Sequence, residues 1–115
     1  SIFTREDERR RKIEFEYIQF NKDFTVYAQD DLEAFYILTP QFIDTLKNMA
    51  RTMDGNLMFG FIDNKLHVAI NTGKDAMETS IFRSELNHNL KEVQKEINII
   101  ISIIEGLNLD REIHK

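Results

Sequence analysis

The stretch that decides the fold is Leu57-Met58-Phe59-Gly60-Phe61-Ile62-Asp63-Asn64-Lys65-Leu66-His67-Val68-Ala69-Ile70. Asp63-Asn64 predicts a two-residue hairpin turn, because both residues tolerate a positive φ. The turn predicts a hairpin of residues 57–62 and 65–70, and a slip of one residue would scramble its faces. The expected partners on the apolar face are Phe61 with Leu66, Phe59 with Val68 and Leu57 with Ile70. Those on the opposite face are Ile62 with Lys65, Gly60 with His67 and Met58 with Ala69.

Upstream of the hairpin, the pattern predicts another piece of the sheet. Apolar and other side chains alternate over residues 24–28, which is typical of a strand with its apolar face inward. Residues 13–17 also alternate, and they are either a short strand or the end of a helix. A turn of helix over residues 18–23 would explain why the phase changes between these two segments.

Two helices are predicted between this strand and the hairpin. Asp30 and Glu33 have the spacing of a capping box, so a short helix over residues 31–38 is expected. Thr39 and Pro40 then begin a second helix, with Thr as N-cap and Pro at the first helical position. Its apolar face consists of Phe42, Ile43, Leu46, Met49, Ala50 and Met53, and Asp54-Gly55 ends it.

The C-terminal part is predicted to be helical. Residues 71–75 are expected to form a loop, followed by Ile81-Phe82 as an apolar anchor within a polar connection. A long helix is predicted from about residue 84 to 107, with a face that repeats every seven residues. That face consists of Leu86, Leu90, Val93, Ile97, Ile100, Ile104 and Leu107. It is either a homodimer seam or a surface packed on the domain's own sheet, and the additional isoleucines Ile99, Ile101 and Ile103 favour the second.

Length and composition fit one folded domain. The chain has 115 residues, of which 42% are hydrophobic and 30% charged, so disorder is not expected. We predict a charged linker or frayed helix over residues 1–12 and a single α+β domain over residues 13–115. In that domain a small antiparallel sheet, which includes the hairpin, packs against two or three helices and the long C-terminal helix.

Composition also excludes several classes of function. Cysteine is absent, which rules out disulfides, thiolate metal sites and cysteine nucleophiles. The net charge is −5, and carboxylates flank the basic cluster Arg9-Arg10-Arg11-Lys12, so no nucleic-acid partner is expected. The longest apolar run, residues 97–104, is far shorter than the ~20 residues that span a bilayer. Because the sequence begins at Ser1, we expect a fragment that contacts a membrane only through a region absent from this chain.

Searching the sequence for metal, phosphate or acid–base motifs gives no site. His67, His88 and His114 have no second histidine at metal-ligand spacing. Asp54-Gly55-Asn56 lacks the alternating ligands of a calcium loop, and Thr72-Gly73-Lys74 lacks the upstream glycine of a phosphate loop. Helix capping explains the acidic residues Asp30, Asp31 and Glu33. We therefore predict no catalytic, metal-binding or cofactor-binding residue, and no cofactor.

The aromatic residues have two interpretations. Tyr17, Tyr27 and Tyr36, together with nine phenylalanines, could form a stacking platform for single-stranded nucleic acid. Their alternating and helical spacing predicts instead that they belong to the core, and the negative charge opposes nucleic acid.

One part of the sequence resembles a known family. The run Phe20-Asn21-Lys22-Asp23-Phe24-Thr25-Val26-Tyr27-Ala28, then Asp30-Asp31 and an aromatic-rich helix ending in Leu38-Thr39-Pro40, is similar to the bacterial family of unknown function 3137 (DUF3137). Later motifs of that family resemble the hairpin (where the family usually has Tyr in place of His67), Ile81-Phe82-Arg83-Ser84 and Ile104-Glu105-Gly106-Leu107-Asn108-Leu109. The resemblance covers roughly residues 13–112. It implies the C-terminal region of a protein with two membrane-spanning helices near its N-terminus, and it supplies no catalytic residues.

These observations lead to three functional hypotheses. The first is a non-catalytic module that binds an unknown protein partner and belongs to a membrane-anchored bacterial protein, on the cytoplasmic side of the inner membrane. The second is a small-molecule sensor or an enzyme with a pocket between the sheet and the C-terminal helix. The third is a homodimer formed through that helix.

Overall fold

The computed structural model contains both helices and strands, and it describes residues 3, 10–51, 55–63, 65–71, 76–82 and 90–113, with the backbone alone for residues 76–82 and 107–113. The elements in chain order are β1 (Arg11–Ile13), α1 (Ile18–Asp23), β2 (Phe24–Ala28), α2 (Asp31–Ile37), α3 (Pro40–Ala50), β3 (Asn56–Ile62), β4 (Lys65–Asn71), β5 (Ala76–Phe82) and α4 (Leu90–Ile113). The predicted α+β class is therefore confirmed.

The described strands form one mixed sheet in the order β1-β2-β3-β4-β5. β2 runs parallel to β3, and every other pair of neighbours is antiparallel. The prediction of a small antiparallel sheet therefore needs correction at this one pair, which is parallel. The reason is that α2 and α3 form a crossover, which returns the chain to the end of the sheet where β2 began, and a strand that follows a crossover is parallel to its neighbour.

The predicted hairpin is confirmed. β3 and β4 pair in the predicted register at all six positions. Asp63 has a φ of 53°, the left-handed conformation expected for the turn, whereas Asn64 lies outside the described residues. Gln29 supports the turn, because its Oε1 accepts a hydrogen bond from the Asp63 N–H at 2.7 Å. The Gln29 N–H donates in turn to the Phe61 carbonyl at 3.2 Å.

The connection after the hairpin contains a strand that the sequence pattern did not predict. β5 is antiparallel to β4 along its full length, with Ala76 opposite Asn71 and Phe82 opposite Lys65. The predicted anchor Ile81-Phe82 is thus the end of a strand. β5 can pair here because the backbone of the buried β4 needs hydrogen-bond partners on its outer edge, whatever side chains its neighbour carries. Residues 72–75 of the predicted loop lie outside the described residues.

The N-terminal elements resolve the ambiguous segment 13–17. Only Ile13 of that segment belongs to β1, where it lies opposite Val26, and residues 14–17 have no regular structure. The helical turn at residues 18–23 is confirmed as α1. The division of the chain at residue 12 stays a prediction, and β1 begins at Arg11.

The helices cover one face of the sheet. The side chains of β2, β3 and β4 on that face are at most 2% exposed: Phe24, Val26, Ala28, Leu57, Phe59, Phe61, Leu66, Val68 and Ile70. They form one cluster with buried residues of the helices: Phe20, Ala34, Ile37, Phe42, Ile43, Leu46, Val93, Ile97, Ile100, Ile101 and Ile104. The predicted packing of the sheet, including the hairpin, against the helices is confirmed.

The seven-residue repeat of α4 faces this core. Its members Val93, Ile97, Ile100 and Ile104 are buried. The predicted start near residue 84 lies outside the described residues, and the helix continues past the predicted end at residue 107 to Ile113.

The two short helices begin as predicted. Asp30 Oδ1 accepts a hydrogen bond from the Leu32 N–H at 3.0 Å and so caps α2. Thr39 Oγ1 accepts one from the Phe42 N–H at 3.3 Å and caps α3, which has Pro40 in its first turn. Thr39 is extended, with a ψ of 160°, because a residue before proline is disfavoured in the helical region. The break between the two helices follows from this.

Candidate functional site

A groove lies where the irregular segment 14–17, which we call the strap, passes the joined ends of α2 and α3. Its volume is about 410 Å³, within the range of roughly 300–1,000 Å³ that is typical of binding pockets. We call it the α2 groove, and its lining residues are Glu14, Phe15, Glu16, Tyr17, Phe35, Leu38, Pro40 and Ile43.

The strap is held by one side chain of α1. Asn21 Oδ1 accepts a hydrogen bond from the Phe15 N–H at 3.0 Å, and Asn21 Nδ2 donates to the Phe15 carbonyl at 2.7 Å. The Asn21 amide thus serves both backbone groups of Phe15, as a neighbouring strand would. Because Phe15 is fixed in this way, one wall of the groove is formed before any ligand arrives.

The floor of the groove is continuous with the core through aromatic contacts. The ring of Phe15 lies edge-on to Phe35 on one side and to Phe20 on the other, with centroid distances of 5.3 and 5.2 Å. Phe20 stacks on Phe24 at 4.5 Å, and Phe24 on Phe59 at 5.9 Å. Five rings therefore connect the surface at Phe35 with the centre of the sheet.

Helix α2 is apolar on two sides. Ala34 and Ile37 face the core, whereas Leu32, Phe35 and Tyr36 are 75%, 47% and 63% exposed. These three residues have the i, i+3, i+4 spacing of a single helix face, which we call the outer stripe.

The prediction that the aromatic residues belong to the core is correct for Phe15, Phe20, Phe24 and Phe59. It is wrong for Phe35 and Tyr36, because a seven-residue helix on a surface can bury only one of its sides, and it is wrong for Tyr17 of the strap, which is 37% exposed.

The surroundings of the groove are acidic. Its two charged lining residues, Glu14 and Glu16, are both exposed carboxylates. Residues 13–40 contain six carboxylates and one lysine, so this segment has a net charge of −5, equal to that of the whole chain. Two basic residues of β1 oppose part of this charge: Lys12 pairs with Glu14 at 3.5 Å and Arg11 with Asp31 at 3.3 Å.

Helix α4 contacts the junction of α2 and α3 through one polar side chain. Gln94 Nε2 donates to the Ile37 carbonyl at 3.0 Å, and it lies 3.4 Å from Thr39 Oγ1. The Ile37 carbonyl is one of the groups that a helix leaves unsatisfied at its C-terminus. The Gln94 side chain therefore ties α4 to the junction of α2 and α3.

The structure describes one of the three histidines that the sequence analysis considers as metal ligands. His67 is half-buried on the other face of the sheet, with Phe3 at a centroid distance of 6.4 Å, whereas His88 and His114 lie outside the described residues. Among those described, no group of three or more histidine, aspartate or glutamate side chains could hold a metal ion.

The predicted turn at Asp54-Gly55-Asn56 is described from Gly55 onward. Gly55 has a φ of 127°, and a Cβ at this position would lie 2.7 Å from the Asn71 carbonyl oxygen, so glycine is required. The Asn56 side chain accepts from the Thr25 hydroxyl at 3.1 Å and donates to the Lys22 carbonyl at 3.2 Å. Its oxygen is thus used within the fold, whereas residues 72–74 lie outside the described part.

The sheet side of α4, where a pocket was the alternative prediction, is closely packed. Ile97 and Ile101 are fully buried against the sheet residues of the core cluster. On the opposite side of α4 there is a shallow depression of about 370 Å³, lined by Lys95, Asn98, Ile99, Ser102 and Ile103.

Sequence reasoning missed the outer stripe, the strap and Asn21. A signal for the stripe was present, because α2 contains only two polar residues, Asp31 and Glu33, both in its first turn. A seven-residue helix with so few polar positions cannot have one apolar and one polar face. The role of Asn21 depends on a bend of the chain that has no sequence signature.

The fold and the groove together define a class: a single mixed sheet covered on one face by helices, with an apolar groove and an acidic surround. The family model described as "Protein of unknown function (DUF3137)" matches residues 1–109, and the chain belongs to this family. No curated protein and no solved structure matched the chain. In the part of the chain that the structure describes, no helix combines the length and apolarity needed to cross a membrane.

Proposed function

We propose that this domain is a non-catalytic module that binds a protein partner through the α2 groove and the outer stripe. It belongs in this proposal to a membrane-anchored bacterial protein, on the cytoplasmic side of the inner membrane. The membrane context rests on the family resemblance, which implies two membrane-spanning helices near the N-terminus of the full-length protein.

The observation that carries the proposal is the exposure of the outer stripe next to a preformed groove. A helix that is apolar on both sides is normally buried on both sides. Contiguous exposed apolar surface with a polar rim is typical of interaction sites, and aromatic residues are enriched there. Leu32, Phe35 and Tyr36 supply such a surface, and Tyr17 extends it across the groove.

The test uses the 115-residue chain as bait on solubilised membranes of its own cell, with cross-linking. We expect a near-stoichiometric partner that is captured by the unchanged chain and lost with Leu32→Ser. The matched control is Ile103→Ser on α4, which removes a comparably exposed aliphatic side chain far along the sequence from the groove. Equal capture by all three proteins, or a defined turnover that surface substitutions abolish, would contradict the proposal.

The volume of the α2 groove supports a second candidate, a small-molecule sensor. This candidate places the ligand at the groove rather than between sheet and α4, where the described side chains are packed. Thermal-shift measurements with a panel of metabolites and metal ions test it. Stabilisation that disappears in Phe35→Ala would favour the sensor, and the absence of any shift across the panel would weaken it.

Homodimerisation through α4 is a separate proposal. Because the repeat members Val93, Ile97, Ile100 and Ile104 are buried, a dimer would use the opposite side of α4, where Ile99 and Ile103 are 49% and 57% exposed. Light scattering at high concentration tests this proposal, and a monomer mass would reject it.

A further inference from the structure

The α2 groove has features that define the chemistry of its partner, and this step rests on the proposed function. The floor of the groove is apolar, formed by Phe15, Leu38 and Ile43, and therefore suits an aliphatic or aromatic anchor. The outer stripe continues this apolar surface along one side of α2. A groove beside an exposed helical stripe is the arrangement into which an amphipathic helix lays its apolar face.

The rim of the groove also determines which charge its partner should carry. Glu14 and Glu16 alternate with Phe15 and Tyr17 along the strap, so the carboxylates lie next to the positions that an apolar anchor would occupy. The ion pair of Glu14 with Lys12 is exposed, and such pairs contribute at most about 1 kcal/mol. A cationic group of a partner can therefore replace Lys12 at little cost.

Anionic surfaces are disfavoured by the same charges. The segment that forms the groove has six carboxylates and one lysine over residues 13–40, and it remains acidic although Arg11 and Lys12 pair with two of these carboxylates. Phosphate groups of lipids or nucleic acids would be repelled there, whereas lysine and arginine would be attracted and steered toward the groove. The charge thus selects a basic protein segment over a membrane surface.

We propose that the α2 groove binds a short amphipathic helix of a partner protein, whose apolar anchor enters the groove and whose flanking lysine or arginine side chains face Glu14 and Glu16.

The test uses three labelled synthetic helices with the same leucine and phenylalanine face and with a lysine/arginine, a glutamine/serine or a glutamate polar face. Fluorescence anisotropy with the full 115-residue chain measures their affinities at low and high salt. We expect the basic helix to bind most tightly, the acidic helix least, and the difference between them to shrink at high salt. Equal binding by all three helices, or tightest binding by the neutral one, would overturn the inference.

Matched charge variants show whether the preference for the basic helix comes from Glu14 and Glu16 or from the overall charge. Glu14→Gln with Glu16→Gln is expected to weaken the basic helix roughly two- to tenfold, the effect of losing two exposed charge pairs. The control, Glu92→Gln with Glu105→Gln on α4, changes the net charge equally and should leave the affinity unchanged. An equal loss in both variants would show that only overall charge matters and would reject the specific contact.

Two further outcomes separate this inference from its alternatives. If vesicles of phosphatidylcholine and phosphatidylserine in equal parts bind the chain, and Leu32→Ser abolishes that binding, the surface is a membrane contact and the inference is wrong. If the captured cellular partner is lost with Leu32→Ser but retained by Glu14→Gln with Glu16→Gln, the interaction module stands and only the basic chemistry of its partner fails.

Discussion

The two sides of α2 have the same kind of residue in opposite surroundings. Ala34 and Ile37 are at most 1% exposed, whereas Leu32, Phe35 and Tyr36, on the same two turns, are 47–75% exposed. The inner side therefore contributes to the free energy of folding through apolar burial. The outer side contributes little to it, so its apolar character needs another explanation, and a binding surface supplies one.

Truncation of the inner side tests this division most strongly. Ile37→Ala is expected to lower the free energy of unfolding by about 2–5 kcal/mol, because it leaves a cavity beside the sheet. Chemical denaturation measures the change. Ile37→Leu, which conserves volume, should cost less than about 1.5 kcal/mol. A loss below about 1 kcal/mol for Ile37→Ala would show that the inner side is less well packed than its burial indicates.

The strap links the inner and outer sides, and Asn21 tests that link. Asn21→Ala removes both hydrogen-bond partners of the Phe15 backbone, and we expect it to cost about 1–3 kcal/mol. Hydrogen exchange of the Phe15 amide should become faster in this variant, and groove ligands should bind more weakly. Asn48→Ala, at an exposed position of α3, is the control and should change neither quantity. If the Phe15 amide stays as protected as before, Asn21 does not hold the strap.

Substitution at the junction of α2 and α3 is expected to lower the free energy of unfolding by less than the two changes above. Thr39→Ala removes the N-cap of α3 and the contact with Gln94, and should cost about 1 kcal/mol. Thr39→Ser keeps the hydroxyl and should restore most of the loss. Thermal unfolding of both variants gives the comparison, and equal destabilisation by Ala and Ser would assign the effect to the Thr methyl group instead.

Local patterns predicted the parts of the fold that local interactions determine. The hairpin register follows from a two-residue turn and two alternating strands, and the caps of α2 and α3 follow from residues within one turn. The parallel pairing of β2 with β3 joins residues about 33 positions apart, such as Val26 and Phe59, and nothing in either strand specifies its direction. It follows instead from the crossover formed by the two helices.

The groove was beyond prediction for a similar reason. Its walls come from a strap without regular structure and from the ends of two helices, and they meet only in the folded chain. β5 was predictable in part, because Met77, Thr79 and Ile81 alternate with Glu78 and Ser80. The sequence analysis instead interprets this alternation as part of a polar connection that follows the predicted loop at residues 71–75.

The smallest expected effect on stability is the most informative one. Leu32→Ala on the outer stripe should change the free energy of unfolding by no more than about 0.5 kcal/mol, because the side chain is 75% exposed and alanine favours helix. The same substitution should weaken binding of the basic amphipathic helix, and the unchanged stability would show that this loss is not caused by unfolding. Ile103→Ala on α4 should be equally neutral in stability and should leave binding intact.

A destabilisation of 2 kcal/mol or more by Leu32→Ala, which is roughly the cost of truncating a core leucine, would end the distinction between the two sides of α2. It would mean that Leu32 is covered within the protein itself. If Leu32→Ala changes neither the free energy of unfolding nor the affinity for the basic helix, the two sides of α2 remain distinct. Partner binding would then not explain why the outer side is apolar. The outer stripe is assigned to a partner only if Leu32→Ala leaves the free energy of unfolding unchanged and weakens binding of the basic helix. A residue with a purely structural role could not produce that combination.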